Sequence, residues 1–189
     1  MNTPSHMLAA AALLTQKQNA KRNAAVLAGA LVPDLSIFVL FGWARAGGIP
    51  QYEIWTSLYW QEPWQTISAI SNSFPIWALI LAVGLATRLQ AVTILAVAVL
   101  IHLALDFPVH ADDAHKHFWP LTDWRFHSPL SYWDTNHHGR MVILAELALC
   151  IACIPVLWRR HEGWIVRTLL FLALISLGLV PLFFWLTLG

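Results

Sequence analysis

Charged residues are scarce in this sequence: only 11% of its 189 residues are charged, and 58% are hydrophobic. An average soluble domain carries about 25% charged residues, so the composition excludes that class and predicts a protein embedded in a lipid bilayer. The formal net charge is +1, and the Lys and Arg residues are scattered along the chain. Because there is no basic stripe, nucleic acid is not expected as a partner.

Cysteine is also scarce, and several catalytic motifs are missing. Cys150 and Cys153 are the only cysteines, and they lie in an apolar run with no second pair and no histidine beside them. A zinc or redox site needs more partners, so both are predicted to pack in the core. The sequence has no GxSxG turn, no GxxxxGK phosphate loop, no HExxH helix and no GxGxxG turn. These absences exclude the best-known hydrolase and nucleotide-binding templates.

Long apolar runs predict one integral membrane domain, residues 1–189, with five full spans. A span needs about 20 apolar residues, and the candidate runs are 23–43, 74–87, 91–106, 141–158 and 165–188. A shorter helix from Thr3 to Gln16 would be about 18 Å long, so it fills half the bilayer or lies at its surface. The predicted fold is an all-α polytopic membrane helix bundle with a short N-terminal helix and a long loop rich in His and Trp.

Two segments outside the spans are rich in tryptophan, residues 44–73 and 108–140. Tryptophan prefers the headgroup region, so residues 44–73 are predicted to lie on the membrane surface as short helices. The positive-inside rule assigns the short basic loops to the cytoplasm, which leaves both tryptophan-rich segments and the C-terminus outside. A loop as long as 108–140 favours a functional element.

The stretch with the most chemistry is HLALDFPVHADDAHKHF, from His102 to Phe118. Histidines and aspartates near a bilayer are costly unless they bind something. Asp34 is a second such residue, inside a span and directly after Pro33. The remaining loop histidines are expected at the surface or at the membrane interface and not as ligands, namely His115, His117, His127, His137 and His138.

Helix geometry brings polar residues from different helices to one depth. Four of them lie about 16 to 21 Å from the basic end of their own helix, and these are His6, Asp34, His102 and Glu146. Asp106 overlies His102 one turn further along the same face, and His110 can fold back from beyond Pro108. The predicted metal ligands are therefore His6, Asp34, His102, Asp106 and His110.

Mixed imidazole and carboxylate ligands suit a divalent metal such as zinc, manganese or iron. Such a metal lowers the pKa of its water to near neutrality and polarises a phosphoryl or carbonyl oxygen. Metal-assisted hydrolysis is thus the expected reaction class, with Glu146 or the loop residue Asp113 as the catalytic base. Glu146 fits equally well as a hydrogen-bonding link to a neighbouring span.

Several motifs, in order, resemble the YdjM-like, LexA-binding, inner-membrane-associated family of metal-dependent hydrolases. They are TPSHMLAAAAL, LAGALVPDLS, HLALDFPVH and FWPL. This resemblance implies a multi-pass protein of the bacterial inner membrane, with His6, Asp34, His102 and Asp106 at the metal site. The longer stretch from His102 to Gly139 is similar to a branch labelled cobalamin biosynthesis protein CobQ. A corrin amidotransferase would be soluble with an exposed catalytic cysteine, so that label does not fit this sequence.

One family motif is replaced here, which keeps other functions open. The family carries HRG...THS before the HxxxD helix, whereas this chain has ISNSFP, with Asn72 and Ser73 where histidine and serine are expected. The leading hypothesis is a membrane hydrolase acting on a lipid-like or phosphate-containing substrate. The alternatives are a non-enzymatic membrane subunit or transporter-like module with a structural metal or proton-handling cluster, and a purely structural protein. Besides the lipid bilayer, a membrane-protein partner or a second copy of the chain remains open.

Overall fold

The computed structural model describes the backbone of residues 1–188 and the side chains of residues 1–179. The described chain is all-α, with no β-strand, as the sequence predicts. The helices are α1 (Thr3–Leu14), α2 (Ala20–Ala46), α3 (Gln51–Thr56), α4 (Trp64–Ser71), α5 (Phe74–Ala86), α6 (Gln90–Asp106), α7 (Gly139–Arg160) and α8 (Trp164–Leu188). Short 3-10 turns follow α3 and α6 and precede α7.

The structure supports three to four membrane spans, so the predicted five are not confirmed. Three helices are long and apolar enough to cross a bilayer: Ala20–Ala46, Gln90–Val109 and Gly139–Arg160. The predicted span 74–87 corresponds to α5, whose 13 residues are too few to cross alone. It joins α4 at a bend of 45°, and this pair forms either one broken span or a re-entrant loop. The described apolar part of α8, Trp164–Leu179, is shorter than a span, and the side chains of the rest of the predicted span 165–188 lie outside the described residues.

Close packing of small residues holds α2 against α6. Val26, Ala30 and Ala98 are completely buried between these helices. A Cβ atom added to Gly29 would lie 2.8 Å from the Cβ of Ala98 and would collide with the carbonyl oxygen of Leu95. Small residues let two membrane helices approach in this way. The contact fixes the position of Ala30 and its neighbours relative to the end of α6.

Helix α1 lies inside the bundle and not at its surface. Its residues Leu8 and Ala11 pack with Cys150, Cys153 and Leu157 of α7. Both cysteines are buried and free, as the sequence predicts. On its other side α1 packs on α2 through Ala10. This position brings the N-terminal end of α1 to the C-terminal end of α6, at Asp106.

The long loop between α6 and α7 is folded tightly although it has little regular structure. Its backbone returns to the end of α6, where the amide of Ser128 donates to His110 O (2.9 Å) and the amide of Tyr132 donates to Val109 O (3.0 Å). The amide of Phe74 donates to His117 O (2.8 Å), which ties the loop to the start of α5. The loop therefore forms a fixed cover over the polar end of the bundle.

Candidate metal centre

Three buried side chains from two helices form the centre of the site. His6 of α1 places Nε2 3.0 Å from Oδ1 of Asp106, at the end of α6. His102, one turn earlier on α6, places Nε2 3.1 Å from Oδ2 of the same carboxylate. The two imidazole rings stack, with centroids 3.6 Å apart and an interplanar angle of 11°. One ligand atom from each of the three residues lies within 4.8 Å of the others, so the group could hold a metal ion.

The spacing and the free nitrogens of this group fit a divalent metal. Two ligands that are each about 2.1 Å from one metal lie about 3.0 to 3.4 Å apart in octahedral or tetrahedral geometry, which matches the distances above. Nδ1 of His102 lies 2.8 Å from the carbonyl oxygen of Ala30. Because a carbonyl only accepts, Nδ1 carries a proton, and Nε2 is the nitrogen that faces Asp106 and would bind a metal. Nδ1 of His6 is buried without a hydrogen-bond partner.

Asp34 lies at the edge of this group. The half-buried carboxylate of Asp34 has Oδ1 3.6 Å from Nε2 of His102. Its Oδ2 accepts a hydrogen bond from the hydroxyl of Thr3 at 2.5 Å. The amino group of Met1 also contacts Asp106. The start of α1 is therefore drawn to the two carboxylates from α2 and α6, and Asp34 is placed to add a further oxygen ligand.

His110 connects the group to Asp113 of the loop. Its Nε2 lies 3.4 Å from Oδ1 of Asp106, and its Nδ1 lies 3.0 Å from Oδ2 of Asp113. Burial lowers the pKa of His110, but the two carboxylates raise it by more, so that the pKa is about 9 instead of the ordinary 6.5. The indole of Trp133 donates to Oδ2 of Asp113 at 3.1 Å and holds it in place. This geometry suits a residue that carries protons between the group and Asp113.

Glu146, predicted as a catalytic base, is not a member of the three-residue group and anchors α1. Its Oε1 accepts hydrogen bonds from the amide of Asn2 (2.8 Å), the side chain of Asn2 (3.1 Å) and the hydroxyl of Ser5. The first turn of an isolated helix has unpaired amides and no fixed neighbour. The carboxylate of Glu146 binds that turn and thereby orients the helix that carries His6.

The expectation that the loop histidines lie at the surface is wrong for His115 and His117, which are both buried. Nδ1 of His115 lies 3.2 Å from the hydroxyl of Ser68, and Nδ1 of His117 lies 2.9 Å from the carbonyl of Asn72. Sequence reasoning missed both, although the alternation of His115, Lys116 and His117 is typical of an extended segment with one buried face. His127 and His138 are exposed as expected.

A second group of possible ligands in the loop, Asp112, Asp134 and His137, has a local structural explanation. Asp134 accepts from the amide of Asn136 (2.8 Å) and lies 2.7 Å from Nδ1 of His137. These contacts cap the 3-10 turn that precedes α7. Asp112 is exposed, so this group carries no argument for a metal.

Two cavities meet beside the centre. A cavity of about 720 Å³, which we call the polar cavity after its acidic residues, is lined by Asp106, His110 and Asp113 and by several aromatic residues. A largely apolar cavity of about 890 Å³ runs along α1, with walls from α2 and α8. Asp34 lines both cavities. Of the three-residue group, Asp106 lines the first cavity, and the neighbouring Asp34 connects that cavity to the second one.

No protein-family model matches this chain, and comparisons with curated proteins and with solved structures found no match.

Proposed function

We propose that this protein is a membrane-embedded, metal-dependent hydrolase that acts on a lipid-like ester or phosphoester. The observation that carries the proposal is the buried group of His6, His102 and Asp106, with Asp106 on one cavity and the neighbouring Asp34 on both that cavity and the apolar one. Buried titratable groups beside a cleft are more typical of a functional site than of a purely structural contact. The resemblance to YdjM-like hydrolases of the bacterial inner membrane agrees with this proposal.

His6, His102 and Asp106 would hold the metal, and Asp34 would complete the ligand set. Zinc, manganese and iron all accept such ligands, and each would supply an activated water together with a positive charge beside the scissile bond. Ala30 keeps His102 in the tautomer that binds a metal. His110, held between Asp106 and Asp113 with a raised pKa, is placed to donate a proton to the leaving group, and Asp113 would accept the proton of the attacking water.

The apolar cavity supports the lipid-like part of the proposal. One face of α1 lines it over the whole length of the helix, through Thr3, Met7, Ala11 and Thr15. This face is about 18 Å long, which is enough for an extended alkyl chain. Leu27 of α2 and Leu169 of α8 form the walls and are exposed, as expected for an opening towards lipid.

A turnover assay tests the proposal. The protein in lipid nanodiscs is loaded with zinc, manganese or iron and given nitrophenyl hexadecyl phosphate or nitrophenyl methyl phosphate. We expect metal-dependent hydrolysis that favours the hexadecyl substrate. Leu27→Trp, which narrows the channel, should lower kcat/KM for the hexadecyl substrate about tenfold, equal to about 1.4 kcal/mol. Leu35→Trp is the matched control, because Leu35 has a similar exposure, 43% against 40% for Leu27, and does not line this cavity.

Absence of turnover with every metal, on both phosphoesters and on the corresponding carboxylic esters, would reject the hydrolase. A non-enzymatic membrane subunit with a structural metal or a proton-handling cluster would then be the better proposal. One observation favours it: the residues that replace the family's HRG...THS motif have structural roles. Asn72 donates to the carbonyl of Ser68 (3.0 Å), and Ser73 caps α5 by accepting from the amide of Ile76 (3.1 Å).

A further inference from the structure

The polar cavity is lined by aromatic rings. Five of its lining residues are aromatic, namely Trp55, Tyr59, Trp60, Tyr132 and Trp133. Rings from separate elements, α3, the following turn and the long loop, thus converge on one space next to the metal centre. Aromatic faces attract cations through the quadrupole of the ring, and enclosures of this kind bind quaternary ammonium groups.

These rings are built into the structure instead of lying freely in the headgroup region. Tyr59 is buried and packs against Trp55 (5.8 Å between centroids) and Trp60 (5.0 Å). Trp133 is fixed by the hydrogen bond from its indole to Asp113. These contacts hold the rings around one shared cavity, although the three tryptophans are 38% to 47% exposed.

The charges around the cavity favour a cation. Four aspartates line it, Asp34, Asp106, Asp112 and Asp113, and no Lys or Arg side chain does. The amino group of Met1, which also lines the cavity, contacts Asp106, and His110 contacts Asp113. In the metal-free protein the four carboxylates therefore outnumber the cationic groups among the described lining residues. The guanidinium of Arg125 lies 5.9 Å from the ring of Trp60.

We propose that the substrate is an amphiphile with a cationic amine in its head, such as a choline or ethanolamine phospholipid. Its amine lies in the aromatic chamber, its phosphoester at the metal centre and one alkyl chain in the apolar cavity. The assignment rests on the proposed function, because the same centre would cleave the phosphoester. It adds the recognition of the head by Trp55, Trp133 and Asp112.

Binding to metal-free protein tests this assignment without any need for turnover. The affinity of hexadecylphosphocholine is compared with that of hexadecyl methyl phosphate, which has the same chain and the same single negative charge but no cation. We expect the choline ligand to bind about tenfold more tightly. Hexadecylphosphoethanolamine shows whether the chamber prefers a methylated or a primary amine, and preference for either over the methyl ester supports the proposal.

Two variants from different elements test the chamber, so that one remains informative if the other folds poorly. Trp133→Leu and Trp60→Leu should each reduce the preference for the amine while they leave the affinity for hexadecyl methyl phosphate unchanged, because neither tryptophan lines the apolar cavity. Trp43→Leu is the matched control, because Trp43 is an exposed tryptophan that does not line this cavity.

Equal affinity for the choline and methyl ligands, or an unchanged preference in both chamber variants, would overturn the assignment. An intact amine preference in a protein without hydrolytic activity would reject the enzyme and keep the binding chamber. The two proposals can thus fail separately.

Discussion

Replacing Glu146 should release α1 from the bundle. The carboxylate of Glu146 on α7 is the acceptor for Asn2 and Ser5, at the start of the helix that carries His6. Further along α1, Leu8 and Ala11 pack against Cys150 and Cys153 of α7. In Glu146→Ala the amides and the hydroxyl lose their common acceptor. The two thiols should then become accessible whenever α1 moves away.

The size of this effect follows from the hydrogen bonds that are lost. Interhelical hydrogen bonds in membrane proteins average about 0.6 kcal/mol, and bonds to a charged acceptor in proteins contribute about 1.5 to 3 kcal/mol. The three bonds share one oxygen atom, so we take about 1 kcal/mol for each and about 3 kcal/mol in total. Each 1.4 kcal/mol is a factor of about ten in an equilibrium constant. The open fraction of α1 should therefore rise about 100-fold.

The rate of maleimide labelling at the two cysteines measures that opening. In the wild type, Cys150 is fully buried and Cys153 is 7% exposed, so labelling should be slow. We expect a rate increase of about 100-fold in Glu146→Ala and a smaller one in Glu146→Gln, which keeps an acceptor oxygen. Leu144→Ala, at an exposed position of α7, should label like the wild type. Labelling of Glu146→Ala at the wild-type rate would refute the anchoring role. A Glu146→Gln variant with normal labelling and metal content but no turnover would support the prediction that Glu146 is the catalytic base.

Two further predictions concern the packing and the loop. Gly29→Ala should lower the free energy of unfolding by about 1 to 3 kcal/mol, because the added methyl group overpacks the contact with α6. Gly42→Ala should stay within about 0.5 kcal/mol of the wild type, because the space around its added methyl group is open. Equal losses of stability in the two variants would contradict the close contact. Burial holds the pKa of His117 at about 4, below its ordinary value of 6.5. The fold therefore has its full stability above pH 6.5, where His117 is neutral in both the folded and the unfolded chain. About 3 kcal/mol of that stability is lost as the pH falls from 6.5 towards 4. The drop in Tm of metal-free protein on going from about pH 7 to about pH 4.5 should thus be smaller for His117→Phe, and an equal drop would show that His117 does not contribute.

The centre could be predicted from the sequence because helix geometry is simple. A rise of about 1.5 Å per residue was sufficient to bring His6 and His102 to one depth, and the spacing of four residues placed Asp106 above His102. The role of Glu146 stayed open between a catalytic base and a link to a neighbouring helix, because the depth of a carboxylate does not show which neighbour it faces. Only the docking of α1 on α7 decides that Glu146 meets Asn2 and Ser5.

The number of spans was harder to predict because hydropathy does not show where a helix breaks. The apolar run that begins at Phe74 is preceded by Ser73, which caps α5 and separates it from α4 at a bend of 45°. The same break brings Asn72 to His117. A contact so distant along the chain leaves no periodic signal, and this is why the buried histidines of the loop were missed.

The metal content of the purified protein tests the central claim most directly. Elemental analysis should find zinc, manganese or iron in a fixed ratio to the wild-type protein after loading and removal of excess metal. We expect loss of the metal in His102→Ala and Asp34→Ala and retention in His127→Ala, which removes an exposed loop histidine. A wild type that stays free of metal after loading, or His102→Ala and Asp34→Ala proteins that keep it, would contradict the account.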